Sequence, residues 1–155
     1  MLEGQIDMTN TAGREIITTR VFDAPRDLVF RVWTEPQHVI NWWGPNGFRN
    51  TIHEMNVAPG GVWKFVMHGP DGNDYNNKII YVEIIRPEKL VYDHVSGPLF
   101  RSTVTFEESA GKTAVTMHAV FQTVEDLEKV VRQFNAIEGA KQHFARLAEY
   151  LEKVK

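Results

Sequence analysis

The chain has 155 residues with 43% apolar and 24% charged residues and a net charge of −3, the size and mixture of one globular domain that buries a core without staples. The weak negative charge speaks against nucleic acid and anionic membrane surfaces as partners. There is no cysteine, which excludes thiol nucleophiles, disulfides and thiolate metal sites and fits a reducing cytoplasm.

Residues 1–13 are polar and aperiodic and read as a flexible lead-in to a single domain over 14–155. Met1-Leu2-Glu3-Gly4-Gln5 has no basic region followed by an apolar run, so no signal peptide is expected. No apolar stretch is long enough to span a bilayer. Arg14 to Phe22 is β-branched and predicts the first strand. At Asp23-Ala24-Pro25 the chain turns into a helix, capped by Asp23 or Ala24, with Leu28, Val29, Val32 and Trp33 at helical spacing. Pro36 ends it, and Gln37 to Trp42 predicts a second short helix. Trp43-Gly44-Pro45-Asn46-Gly47 is a loop by its Gly and Pro content.

Six strands are then expected over 49–57, 61–68, 77–85, 89–96, 101–108 and 112–121. Turn chemistry separates them, including Pro59-Gly60-Gly61 and Gly69-Pro70-Asp71-Gly72. Such short spacers favour an antiparallel meander. Thr123-Val124-Glu125-Asp126 predicts a helix start with acidic residues in the first turn. Gly139 is expected to interrupt the helix. An amphipathic helix follows, with Ala140, Phe144, Leu147, Ala148, Leu151 and Val154 on one face.

A curved sheet of about seven strands has a concave apolar face, and one helix about 10 Å across is too slim to fill it. The order of elements therefore predicts an α+β fold with a pocket between sheet and C-terminal helix, a usual setting for a small-molecule site. Strand alternation places His53, Met55, Trp63, Phe65, Met67, Leu90, Tyr92, His94, Val104, Phe106, Val115, Met117, Ala119 and Phe121 inward. On 77–85 it places Ile80, Val82 and Ile84 inward, with Tyr81 and Glu83 outward. Asp93 faces out as the costliest of its neighbours to bury. The expected ligand-facing set is Trp42, His53, Met55, Trp63, Phe65, Met67, Tyr92, His94, Val104, Phe144 and Leu147. Of the adjacent tryptophans Trp42 and Trp43, one is expected to rim the entrance. His38, His68, His118 and His143 read as surface residues.

His53, His94 and Tyr92 are the inward groups able to bind a polar head or move a proton. No metal is expected, since His-x-His, His-x-x-x-His and Glu-x-x-His spacings are missing. No cofactor is expected either, since the glycine-rich turns lead into no phosphate-binding motif. Ser96, Ser102 and Ser109 lack a nucleophile-elbow context.

The run Arg20-Val21-Phe22-Asp23-Ala24-Pro25-Arg26-Asp27-Leu28-Val29-Phe30, with Trp33-Thr34-Glu35-Pro36 and Trp42-Trp43-Gly44-Pro45, resembles the SRPBCC (START-like) superfamily. Gly60-Gly61-Val62-Trp63-Lys64-Phe65 and Gly69-Pro70-Asp71-Gly72 are similar to the Gly-Gly-x-Trp signature of its activator-of-heat-shock-protein-ATPase-like branch. Arg86-Pro87-Glu88-Lys89-Leu90-Val91-Tyr92 and Phe144-Ala145-Arg146-Leu147-Ala148-Glu149-Tyr150-Leu151 fit that branch's last strands and helix. Asn56-Val57-Ala58-Pro59 departs from it, because the branch often carries an acidic and a basic residue there. The resemblance implies a helix-grip fold with a deep hydrophobic cavity, but little about reaction. Three functions stay open. One is binding or sequestration of a small apolar or amphipathic ligand. The second is a cofactor-independent enzyme of cyclase, dehydratase or hydrolase type in the same cavity. The third is a co-chaperone-like protein-binding module. A homodimer is compatible with each.

Overall fold

The computed structural model describes residues 6–155, so the expectation about Met1 to Gln5 lies outside the described residues. Residues 6–13 form no helix or strand. Ile6 is buried, and the Arg14 guanidinium donates to the carbonyls of Asp7, Thr9 and Asn10.

The elements run β1 (Glu15–Phe22), α1 (Arg26–Thr34), α2 (Pro36–Val39), β2 (Arg49–Met55), β3 (Val62–His68), β4 (Asp74–Ile85), β5 (Lys89–His94), β6 (Phe100–Ser109), β7 (Lys112–Phe121), α3 (Val124–Phe134) and α4 (Ala136–Val154). All seven strands join one sheet in the order β1-β7-β6-β5-β4-β3-β2, and every neighbouring pair is antiparallel. This is the expected α+β architecture: a meander from β2 to β7, with β1 laid beside the last strand and α4 against the sheet.

Two irregularities reset the strand alternation. Between Ile52 and Glu54 the β2–β3 register shifts, so β2 turns Asn50, Ile52 and Met55 toward the interior, while His53 and Glu54 are both exposed. The expected inward position of His53 is therefore corrected: an extra residue in one strand sends its neighbour to the other face. A second shift lies between Tyr81 and Glu83. It puts Ile79 and Tyr81 in the core and leaves Val82 exposed, with Ile84 packed inward beyond the bulge. The inward assignment of Ile80 and Val82 and the outward assignment of Tyr81 are thus reversed. On β3 and β5 the expected alternation is observed, with Trp63, Phe65, Leu90, Tyr92 and His94 buried. Asp93 does face the outer side of β5 but is itself covered. Arg101 meets it with a two-pronged ion pair at 2.7 and 3.0 Å, which offsets the cost of removing a carboxylate from water.

The bend between β2 and β3 explains the paired glycines. A Cβ on Gly61 would stand 2.0 Å from the Asn56 carbonyl oxygen, so only glycine fits. Its neighbour Gly60 donates to the Tyr81 carbonyl at 2.7 Å, tying the turn to β4.

The break in the C-terminal helices falls at Asn135, not Gly139. Thr123 caps α3 by accepting from the Asp126 N–H at 3.0 Å. Asn135 then adopts a left-handed conformation, φ 50° and ψ 50°, which asparagine tolerates better than most residues. Gly139 lies inside α4. Asn135→Ala is expected to cost about 1 kcal/mol by urea denaturation, and Asn135→Gly nothing or a slight gain. Equal costs for the two would mean that the left-handed turn is not what holds this corner.

Candidate functional site

The interior is not one continuous core. A large cluster joins α1, α2, β3–β7 and α4 around Trp33, Trp42, Trp63, Phe106, Phe144 and Leu147. A smaller one joins Ala119, Phe121 and Val130, with Ile16, Phe100, Leu127 and Ala136 against it. Between them lies a recess of about 320 Å³. Trp43, Phe65, Ile79 and Tyr92 line it from the first cluster, and Ala119, Phe121 and Val130 from the second. Ala136, Gly139, Ala140 and His143 of α4 form its roof. The helix presents its smallest side chains there, so it approaches the sheet without filling the gap. Phe134, Pro98, His94, Asn77 and Met67 also border an outer cleft of about 620 Å³, through which the recess reaches solvent.

Of the expected ligand-facing residues, the structure brings Phe65, Met67, Tyr92 and His94 together on the recess wall. Trp63, Val104, Phe144 and Leu147 are packed in the larger cluster and are not among the lining residues. Met55 is half-buried against the same cluster, and His53 is exposed. Trp42 does not rim an entrance. It is fully buried, and its indole N–H donates to the Val32 carbonyl at 3.0 Å. Its neighbour Trp43 takes the wall position. Both tryptophans are buried, and both rings pack against His143, Trp42 tilted at 4.9 Å and Trp43 edge-on at 4.5 Å.

Sequence reasoning missed His143. It was expected on the surface and is buried at 6% exposure, ringed by Trp33, Trp42 and Trp43. The signal was present, since 143 is three residues after Ala140 and four before Leu147, on the apolar stripe of α4. The backbone N–H of Gly44 donates to its Nδ1 at 2.9 Å. Glycine is favoured there by its φ of +95°, a conformation that side chains rarely adopt. Burial first, then the nearby Arg146 guanidinium, push the His143 pKa down to about 3. The imidazole is therefore neutral at ordinary pH. Arg146 itself closes the loop before β2 onto α4. Its Nη1 donates to the carbonyls of Trp43, Gly44 and Pro45 and its Nη2 to that of Phe48, at 2.9–3.1 Å.

His94 differs from His143 in that a polar oxygen lies beside each ring nitrogen. Nδ1 lies 3.0 Å from the Pro98 carbonyl and Nε2 2.7 Å from Asn77 Oδ1, while Phe100 stacks on the ring at 4.7 Å. Burial lowers its pKa, opposed by the Pro98 contact. Burial also pushes the Tyr92 phenol up to about 12, so it is not an anion at neutral pH. The Ser102 hydroxyl beside the phenol offsets a small part of that shift.

On the outer face, Thr51 Oγ1 lies 2.8 Å from His68 Nε2, and His68 Nδ1 lies 2.7 Å from Asp74. That is the contact order of a nucleophile, base and orienting acid. Neither Thr51 nor His68 borders the recess or the cleft, so nothing there would hold a substrate over the hydroxyl. Among the described residues, no group of three or more His, Asp or Glu side chains is placed to hold a metal ion. Among the described residues, no helix is long and apolar enough to cross a membrane.

A seven-stranded antiparallel sheet gripping a long C-terminal helix, with a recess left between the two, defines a START-like helix-grip protein. The chain belongs to the family described as Activator of Hsp90 ATPase homolog 1-like protein, whose model matches residues 23–152. Solved structures share the fold. One from Arthrobacter aurescens is 22% identical with a TM-score of 0.86, covering 94% of this chain and 90% of that one. A Mycobacterium smegmatis protein is 22% identical with a TM-score of 0.81, covering 92% and 93%. A Nitrosomonas europaea protein is 22% identical with a TM-score of 0.80, covering 92% and 96%. At these identities the likeness extends to the fold alone. No curated protein sequence matches the chain.

Proposed function

We propose that this protein binds a small, mainly apolar molecule in the recess between the sheet and α4, in the cytoplasm. The supporting observation is the gap of about 320 Å³ between the two apolar clusters, a volume within the range of small-molecule sites. An enzyme working in the same place would need His53, Tyr92 and His94 to converge. His53 is exposed on the far side of a bulge, and His94 is turned to the Pro98 carbonyl and the Asn77 side chain, which favours binding over catalysis. The family's name refers to activation of the Hsp90 ATPase. A protein-docking module of that kind calls for a filled interior and an apolar outer patch, and the unfilled recess weighs against it here.

Native mass spectrometry of protein purified from cell extract is expected to show an added small-molecule mass. Ala140→Phe places a ring from α4 into the recess and is expected to abolish that adduct, and to weaken uptake of added apolar probes at least tenfold, with the melting temperature held. Undiminished uptake by the Ala140→Phe protein would mean the ligand sits elsewhere.

A further inference from the structure

The outer cleft narrows the polar end of the guest, on the premise that the recess holds its apolar body. Three aromatic rings stand on the cleft wall: Phe48 from the loop before β2, Tyr75 from the start of β4 and Phe134 from the end of α3. Tyr75 is the middle one. Phe48 lies 6.0 Å from it at an interplanar angle of 46°, and Phe134 lies 6.1 Å from it at 89°. The Tyr75 phenol donates to Asp71 Oδ2 at 3.0 Å, which fixes the ring and, by polarisation, makes it richer in electrons. Phe134 keeps 54% of its surface exposed and borders the recess as well as the cleft. The rings therefore stand where a guest seated in the recess would leave its head.

The charge of the cleft has one sign. Asp74 and Glu138 line it, and no Lys or Arg lines either the cleft or the recess. Asp74 meets His68 through Oδ1 alone, and Glu138 lies in the first turn of α4, four residues after Phe134. His94, on the wall of both spaces, has its pKa lowered by burial and adds no positive charge at neutral pH. The nearby cation, Arg146, has committed Nη1 and Nη2 to four backbone carbonyls. Aromatic faces carry the negative side of the ring quadrupole and attract a cation within about 6 Å. Carboxylates beside them attract the same cation and repel an anion. An ammonium head gains from both, a hydroxyl head from neither, and a carboxylate head is opposed by both.

We propose that the site takes an amphipathic cation, with an ammonium head against Tyr75 and Phe134 in the cleft, in the field of Asp74 and Glu138, and an apolar body in the recess. Three probes with one octyl chain test this: octyltrimethylammonium, octanol and octanoate. In NMR titrations of the full chain the ammonium is expected to bind about tenfold tighter than octanol, the yield of a partly desolvated cation–π contact, and octanoate weakest. Added salt is expected to narrow the gap between ammonium and octanol. Tyr75→Leu is expected to cut the ammonium preference to about twofold. Tyr75→Phe, which keeps the ring, is expected to retain most of it. Asp74→Asn combined with Glu138→Gln is expected to lower it about threefold and to remove its salt dependence. Ala140→Phe is expected to abolish binding of all three probes. Equal binding of ammonium and octanol, tightest binding of octanoate, an unchanged preference in Tyr75→Leu, or ammonium binding that outlasts octanol binding in Ala140→Phe overturns the inference while leaving the recess as a binding site. Failure of all three probes to bind the wild-type protein overturns the recess as a site and this inference with it.

Discussion

Lowering the pH from 6.5 to about 5 is expected to weaken the fold by about 1.6 kcal/mol, above the range where carboxylates ordinarily protonate. The cause is His143. In the unfolded chain it titrates near its ordinary value of 6.5, and in the native protein burial holds its pKa down to about 3. Between those values the unfolded chain binds a proton that the native one refuses. Stability therefore rises with pH across this window and falls as acid is added, by about 1.4 kcal/mol per pH unit. By pH 3 the loss is about 4 kcal/mol. His94 is shifted in the same direction by burial and steepens the decline. Urea denaturation at a series of pH values measures the slope. His143→Gln, which has no proton to gain, is expected to flatten it by about one proton. Identical slopes for the wild-type and variant proteins would place the acid sensitivity in other groups.

The same residue shows where the sequence was legible and where it was not. The architecture follows from local chemistry. Turns rich in Gly, Pro and Asp separate β-branched runs, and a stripe from Ala140 to Val154 demands a partner surface, so seven strands and a covering helix are readable before any contact is known. The inward faces of β3 and β5 are readable as well, because each strand alternates without interruption. Alternation stops being a guide at a bulge. His53 and Tyr81 were placed on the wrong faces because the register slips next to each of them, and nothing in Thr51-Ile52-His53-Glu54 announces the extra residue. His143 was lost for a different reason. Its spacing put it on the buried stripe, but its polarity argued for water. What overrides that polarity is the Gly44 N–H, a partner 99 positions away in the chain. A pocket between the sheet and the C-terminal helix was readable, but not which part of the helix roofs it. That depends on small residues of α4 meeting a gap between two clusters, a matter of which side chains face one another across the fold.

Trp63 separates core from pocket most sharply, and Trp63→Ala is expected to cost about 3–5 kcal/mol. The indole is 1% exposed, stacked on Phe65 with ring centres 4.3 Å apart and set edge-on to Trp43 at 4.8 Å. Both of those rings form the recess wall, so Trp63 supports the wall from behind without touching a guest. Its Nε1 has no partner, which separates the contributions: removal loses packing but no hydrogen bond. Trp63→Phe, which keeps most of the aromatic contact and discards only the unpaired N–H, is therefore expected to cost less than about 1.5 kcal/mol. Calorimetry or urea unfolding of the two variants gives the comparison. If alanine and phenylalanine cost the same, the indole N–H has a partner after all and the wall is held by polarity. If alanine costs under about 1 kcal/mol, the ring is not the buttress that keeps Trp43 and Phe65 in place, and the recess owes its shape to something else.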